Sequence, residues 1–433
     1  MKRKITSQLL NWKNNPRRKP LLMYGARQTG KTYIINEFGR LHYENVIYVN
    51  LETNASLAAD FIADISPEKI IDRLEIFFSR KIAPEKTLIF FDEIQSCARA
   101  LTSLKYFCEN APEYHIIAAG SLLGVAVNRE QHSFPVGKVD LLHLYPLDLE
   151  EFFWALGKEA LTAEIRASYV ANRPLAPMIH SAALELYKSY LIVGGMPAVV
   201  NEYCRTQHLL DAANLQAIIL NSYVADMAKY ATPAETTRIM AAFQSIPAQL
   251  AKNNKKFQYK VIQRGGSATI FGASIDWLCA AGLVVKCNKV AQIMIPLAVH
   301  QDFSSFKLYM GDCGLLTFKS GMPAHNILTP IEENNTFLGA LVENYVADQL
   351  RVNGHDLWYW ESDHTAEIDF IIQCQEKIIP VEVKASGHTY SRSLTVFKQK
   401  FIPPYSIRIS SRNFGFENSI RSVPLYAVFC IEN

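Results

Sequence analysis

At 433 residues the chain exceeds the roughly 250–300 residues over which one hydrophobic core grows, so two or three domains are expected. With 49% apolar and 20% charged residues it has the composition of a folded globular protein, which excludes a long disordered chain. A net charge of +3 excludes a strongly basic nucleic-acid binder, although the runs "KRK", "RRK" and "KNNKK" leave room for a local basic face. The eight cysteines are scattered without a C-x-x-C pair, which excludes a zinc knuckle or disulfide framework and fits a reducing compartment. The basic N-terminus has no continuous apolar stretch of signal-peptide type, and no apolar run reaches the roughly 20 residues of a membrane span. A cytoplasmic protein without a membrane partner is expected.

In chain order, the first informative stretch is the apolar run "PLLMY" followed by "GARQTGKT" and then by "YIINEFG". The octet fits G-x-x-x-x-G-K-[ST] between a strand and a helix, the context in which loop amides and a helix N-terminus cradle phosphates. Gly25, Ala26, Arg27, Gln28, Thr29 and Gly30 would supply the loop, Lys31 would reach the β and γ oxygens, and Thr32 would hold Mg²⁺. A glycine-bearing strand-to-helix turn alone would not explain Lys and Thr in tandem after the second glycine.

Further strand-like runs follow in "NVIYVNLE", "KTLIFFDEIQ", "YHIIAAGS" and "VDLLHLYPL", alternating with helix-like segments such as "PEKIIDRLEIFF" and "LTSLKYFCEN". Such alternation predicts a parallel sheet covered on both faces. The third run ends in Asp92, placed to hold Mg²⁺, and Glu93, placed to polarise the attacking water. Ser121 ends the fourth run. It would sit beside the γ-phosphate if that strand lies between the first and third in the sheet; otherwise it caps a turn. No guanine-reading N/T-K-x-D tetrapeptide occurs, so ATP is expected rather than GTP.

The stretches "LLMYGARQTGKT", "LIFFDEIQ", "AAGSLLG", "LYPLDLEEFF" and "LIVGGMPAVV" together resemble the prokaryotic AAA-fold ATPases that are coupled to a C-terminal domain of unknown function. The resemblance implies a P-loop ATPase core over 1–157 and a helical lid over 158–240, with a middle domain over 241–325 and a last domain over 326–433. "GGMP", Gly194 to Pro197, is similar to the family's lid motif and is equally readable as a helix-breaking turn. No arginine is assigned as a finger or second sensor; Arg129 and Arg238 are the candidates, and other protein subunits would be partners if the finger comes in trans.

In the middle segment, "IPAQLAKNN", "YKVIQRGG", "TIFGASIDWLCAAG" and "LVVKCNKV" give short helices followed by a β-ribbon, the order of a winged helix. Lys252, Lys255, Lys256, Lys260 and Arg264 are available for DNA phosphates. Ile270, Phe271, Ile275, Trp277 and Leu278 crowd the recognition-type helix, which favours packing over a groove.

The last hundred residues hold "FLGALVENYVADQL", "LWYWESDHTAEIDFII" and "KIIPVEVKAS". The first is an amphipathic helix carrying Glu343; the strands that follow carry Asp369, Glu382 and Lys384. Residues two apart on a strand share a face, so Glu382 and Lys384 point together, and a hairpin would bring Asp369 beside them. Converging carboxylates with a lysine suit a hard cation and an attacked phosphate. The order resembles the PD-(D/E)XK nuclease fold, in its Holliday-junction-resolvase-like branch. That resemblance implies Asp369 and Glu382 as ligands of Mg²⁺ or Mn²⁺, Glu343 as an auxiliary ligand and Lys384 as the catalytic lysine. An inherited fold with a degenerate site, or a charged pair on an exposed strand, is the alternative. Trp358, Tyr359 and Trp360 either stack on bases or pack the sheet, and His364 is a loop histidine near Asp369 in sequence.

The sequence thus predicts an α/β protein: a P-loop AAA-type parallel sheet with a helical lid, a winged-helix-like middle domain and an α/β nuclease-like C-terminal domain. The function expected is an ATP-hydrolysing switch coupled to a DNA-associated, nuclease-like domain. The alternative is a signalling or scaffold ATPase whose C-terminal domain binds partners without cleaving nucleic acid.

Overall fold

The computed structural model describes residues 1–121, 134–329, 336–362, 366–385 and 392–433. Arg129 and His364 lie outside the described residues. The chain forms two compact units, one of Lys2–Tyr145 with Ala280–Gly282, the other of Pro146–Cys279 with Leu283–Asn433.

The first unit is built on a five-stranded parallel sheet: β1 (Leu21–Tyr24), β2 (Asn45–Asn50), β3 (Thr87–Asp92), β4 (His115–Gly120) and β5 (Asp140–His143), in spatial order β2-β3-β4-β1-β5. β3 and β4 are buried along their whole length. Strand alternation sends Leu88 and Phe90 to one face and Ile89 and Phe91 to the other. Ile34, Ile35 and Phe38 of the helix Lys31–His42 share the core of the first face, and Ile70, Ile71, Leu74, Leu104 and Phe107 of two further helices share that of the second. Continuous apolar runs, rather than alternating ones, are what a sheet covered on both sides requires.

The second unit begins with helices. Leu149–Ala155 starts on a capping box between Asp148 and Glu151, and Phe152 lies against Tyr190 with ring centroids 5.2 Å apart, so this helix groups with the helical unit. Its partner Pro177–Val193 ends at the "GGMP" stretch, which is a packing junction as well as a turn. Leu147 N–H donates to the Gly195 carbonyl at 2.7 Å, and Gly195 N–H donates to Asp312 Oδ2 at 2.7 Å. A Cβ on Gly195 would lie 1.9 Å from the Leu147 carbonyl oxygen.

An eight-stranded mixed sheet follows, in the order β12-β13-β11-β10-β9-β8-β6-β7. Its strands are β6 (Val284–Val290), β7 (Gln301–Met310), β8 (Trp358–Glu361), β9 (Glu367–Cys374), β10 (Lys377–Val383), β11 (Ser406–Ser410), β12 (Gly415–Glu417) and β13 (Ile420–Pro424). The ribbon expected as a wing is β6 and β7, but it does not stand alone: β6 pairs in parallel with β8 through Asn288↔Trp358 and Lys289↔Tyr359. The helix Ala268–Ala280 buries Phe271, Ile275, Trp277 and Leu278, leaving Ile270 39% exposed. Trp358, Tyr359 and Trp360 are all buried in the sheet. No helix of the described residues is long and apolar enough to cross a membrane.

Asp348, on the helix Thr336–Val352, is buried beside Arg351 at 3.3 Å. Burial pushes its carboxyl from the usual 3.8 up to about 7, against the pull of Arg351 and with Asp312 adding to the rise. A carboxyl raised in the folded state stabilises fully below its unfolded value, and that contribution is lost as the pH climbs through the folded value. Stability should therefore fall between about pH 4 and pH 7 by up to roughly 4 kcal/mol from this group. Asp348→Asn should flatten that slope and raise the melting temperature at pH 8, as thermal denaturation across pH will show; an unchanged slope contradicts this account of the group.

Candidate functional site

In the first unit, the chain leaves β1 at Tyr24 and enters the helix Lys31–His42 through Gly30, whose φ of 91° no side chain adopts easily. Thr29 is fully buried and donates from Oγ1 to the Ala26 carbonyl at 2.9 Å, holding the loop closed on itself. Lys31 Nζ donates to the Gly25 carbonyl at 3.0 Å and the Ala26 carbonyl at 2.8 Å. Burial pulls the ammonium down to about 8, while Glu93 and Asp92 act to raise it and Arg27 to lower it further. The carboxylates that end β3 therefore face the loop.

Asp92 is the hub of the opposite wall. Its Oδ2 accepts from Thr32 Oγ1 at 2.8 Å and from the Tyr48 hydroxyl at 3.1 Å, and its Oδ1 accepts from the Glu93 amide at 3.0 Å. A hydroxyl and a carboxylate this close are a hard-oxygen donor set that suits Mg²⁺. Glu93 takes a left-handed backbone conformation at φ 51°, and its carboxyl is raised by burial, with the hydrogen bond from Gln95 Nε2 opposing and Asp92 adding. Ser121 is buried immediately after β4, and β4 does lie between β1 and β3. The fold thus brings Lys31, Thr32, Asp92 and Glu93 around one loop. Sequence reasoning missed Tyr48 and Gln95: the first needs the pairing of β2 with β3 to be known, while the second was visible in "DEIQ".

The second unit gathers the other predicted residues. β9 and β10 form the expected hairpin, whose antiparallel register runs to Val381↔Phe370, the residues next to Glu382 and Asp369. Asp369 Oδ2 accepts from the Val383 amide at 2.8 Å, and Lys384 Nζ lies 2.6 Å from Glu382 Oε1. Glu343 comes up from the helix Thr336–Val352 and is 2% exposed. Burial raises Asp369, and Glu343 and Glu382 add to that rise, which puts the three carboxylates within each other's field.

Lysines from the middle of the chain enter the same cluster. Lys307, on β7 and 1% exposed, donates from Nζ to Glu343 Oε1 at 2.9 Å and also pairs with Glu367. Lys255 pairs with Glu343 Oε2, and the Tyr309 hydroxyl donates to Glu343 Oε1. Lys255 was expected to be available for DNA phosphates; its ammonium is instead engaged with a buried carboxylate, because an uncompensated Glu343 in that position would be costly. Burial alone would raise Glu343, but Lys255 and Lys307 outweigh it and hold the carboxyl low.

Three donors on Glu343 leave it poorly fitted as an auxiliary metal ligand. Among the described residues no group of three or more His, Cys, Asp or Glu is arranged to hold a metal ion. The sequence signal for Lys307 was present: "FKLYM" sets a lone lysine in an apolar strand, on the same face as Tyr309.

An AAA domain family matches residues 17–153. Two families, each described as a domain of unknown function (DUF8612 and DUF4143), match residues 184–326 and 338–428. No curated protein matches the chain. Solved structures similar to the chain include the Walker-type ATPase PABY2304 of Pyrococcus abyssi, at 14% identity over 73% of this chain and 95% of that one, with a TM-score of 0.45. The ORC2 protein of Aeropyrum pernix is 12% identical over 79% and 91%, with a TM-score of 0.39. The DnaA of Aquifex aeolicus with AMPPCP bound is 14% identical over 63% and 85%, with a TM-score of 0.26. Residues 17–153 form an AAA-type P-loop ATPase domain.

Proposed function

We propose that the chain is an ATP-hydrolysing switch whose second unit binds nucleic acid, DNA first, through a nuclease-like centre that it does not use for cleavage. The convergence of Lys31, Thr32, Asp92 and Glu93 on one loop carries the ATPase reading. In it, amides from Gly25 to Thr32 and the Lys31 ammonium would bind the phosphates, and Thr32 and Asp92 would hold Mg²⁺, whose chemistry there would be to offset phosphate charge. Glu93 takes the proton of the attacking water, Gln95 orients its carboxylate, and Ser121 reads the γ-phosphate. Arg238 lies exposed on the helix Pro233–Leu250 and is a candidate for contact with another subunit.

The non-cleaving reading of the second unit rests on the lysine and tyrosine donors that saturate Glu343. The β9–β10 hairpin, which sets Asp369 beside Glu382 and Lys384, favours a second reading, metal-dependent cleavage with Lys384 as the catalytic lysine. Labelled single-stranded, duplex and branched DNA, incubated with the full chain and Mg²⁺ in ATP or ADP, separates the two. The expected result is binding that changes with the nucleotide and no product. Product formed by the wild type and lost in Asp369→Asn would move the assignment to cleavage, and absence of both binding and product would remove nucleic acid from the account.

A further inference from the structure

A divalent cation and an ammonium group answer the same electrostatic need, which is to let several carboxylates lie together out of water. The C-terminal carboxylates meet that need from within the chain. Lys307 reaches them from β7, a strand whose last six residues are buried, so its ammonium is fixed by the sheet rather than by a mobile surface stem. It bridges Glu343 on the helix Thr336–Val352 to Glu367 on β9, and it lies over the Tyr359 ring at 5.1 Å. Glu343 has its two oxygens divided between Lys307 with Tyr309 on one side and Lys255 on the other.

We infer that Lys307 is the built-in counter-ion of this cluster and takes the electrostatic place that a divalent cation would fill, so that the C-terminal centre is complete without metal. Two features make the substitution specific. The lysine comes from β7, outside the helix and hairpin that carry Glu343, Asp369, Glu382 and Lys384, yet β7 packs into the same sheet through β6 and β8. Its ammonium cannot withdraw to water in the way an exposed lysine does, since it is 1% exposed, so an incoming cation would meet a fixed like charge beside its ligands. Lys307 also ties the strand ribbon of the middle segment to the C-terminal carboxylates, which makes one electrostatic unit of the residue ranges matched by two separate families.

The inference concerns only the second unit and does not depend on ATP turnover. The test uses nucleotide-free full-length chain, stripped of metal, with Mn²⁺ binding followed by calorimetry and by the loss of the free-ion electron paramagnetic resonance signal. The wild type should show no Mn²⁺ site that Asp369→Asn removes. Lys307→Met keeps the length of the side chain and deletes the charge; it should gain a site at least about tenfold tighter than anything in the wild type, lost again when Asp369→Asn is added. A wild-type Mn²⁺ site that disappears in Asp369→Asn would overturn the inference, as would a folded Lys307→Met that gains no site. If Lys307→Met does not fold, the wild-type comparison with Asp369→Asn decides alone.

Discussion

Glu93→Gln should leave ATP bound with near-native affinity and slow its hydrolysis by about 10²–10⁴-fold, the usual contribution of a positioned general base. The amide keeps the shape of the carboxylate but cannot take a proton. The hydrogen bonds that shape the phosphate-binding loop do not involve its carboxylate, since Lys31 donates to the Gly25 and Ala26 carbonyls and Thr32 to Asp92. Glu93 is suited to the base's role because burial raises its carboxyl toward the working pH, as an effective base requires. Lys31→Ala should fail differently. It removes the charge that the proposed mechanism assigns to phosphate binding, so binding and turnover should fall together, with turnover down by about 10²–10³-fold. Fluorescent-nucleotide titration beside phosphate release distinguishes the two patterns; equal loss of binding in both variants would mean that Glu93 shapes the site rather than serving as its base.

The second large effect is structural. Gly195→Ala places a methyl group where the Leu147 carbonyl oxygen stands 1.9 Å away, with the Leu147 backbone carbon and nitrogen each at 2.9 Å. Only a backbone shift relieves it, and that shift strains the hydrogen bonds from Leu147 to Gly195 and from Gly195 to the buried Asp312. Overpacking together with two weakened buried hydrogen bonds is expected to cost roughly 4 kcal/mol or more. A drop in melting temperature of about 7 °C or more follows for a unit of this size, or failure to accumulate soluble protein. Gly272→Ala is the control: a Cβ at Gly272 meets nothing within 4 Å, and the position is helical, so the same change there should be neutral or slightly stabilising. Equal behaviour of the two variants would contradict the junction described at "GGMP".

What the sequence made legible was what lies close together along it. The octet Gly25–Thr32, the strand-ending Asp92 and Glu93, and the Glu382–Lys384 spacing are all local patterns, and each was readable before any strand was paired. The β9–β10 hairpin that sets Asp369 beside Glu382 is local too, since only Gln375 and Glu376 separate the strands. Contacts across long separations were not legible. Tyr48 reaches Asp92 because β2 pairs with β3, a choice of neighbour that periodicity does not encode. The ribbon of β6 and β7 read as the ribbon of a winged helix, without its neighbour β8, because β8 lies about 70 residues on, beyond the range of hairpin signals.

Charge was the least legible quantity. Lys255 stands in a basic run and reads as a phosphate contact, yet it is held by Glu343, 88 positions away. Lys307 carried a visible anomaly, a cation in an apolar strand, but nothing in the strand itself names Glu343 and Glu367 as its partners. The carboxylates and Lys384 were found by their family spacing; Lys255 and Lys307, the counter-ions of Glu343, come from another segment and have no spacing to find. "GGMP" illustrates the same limit for packing, since its glycines mark a turn in sequence, while the reason glycine is needed lies far along the chain: a Cβ on Gly194 would lie 2.3 Å from Asp312 Oδ1 and one on Gly195 1.9 Å from the Leu147 carbonyl oxygen.

The central claim is that this chain turns over ATP at the loop around Lys31. Its most direct test is steady-state phosphate release by purified full-length protein in Mg²⁺ and saturating ATP, wild type beside Lys31→Ala. The account predicts release by the wild type that Lys31→Ala reduces at least about 100-fold. Wild-type release no greater than that of Lys31→Ala would contradict it.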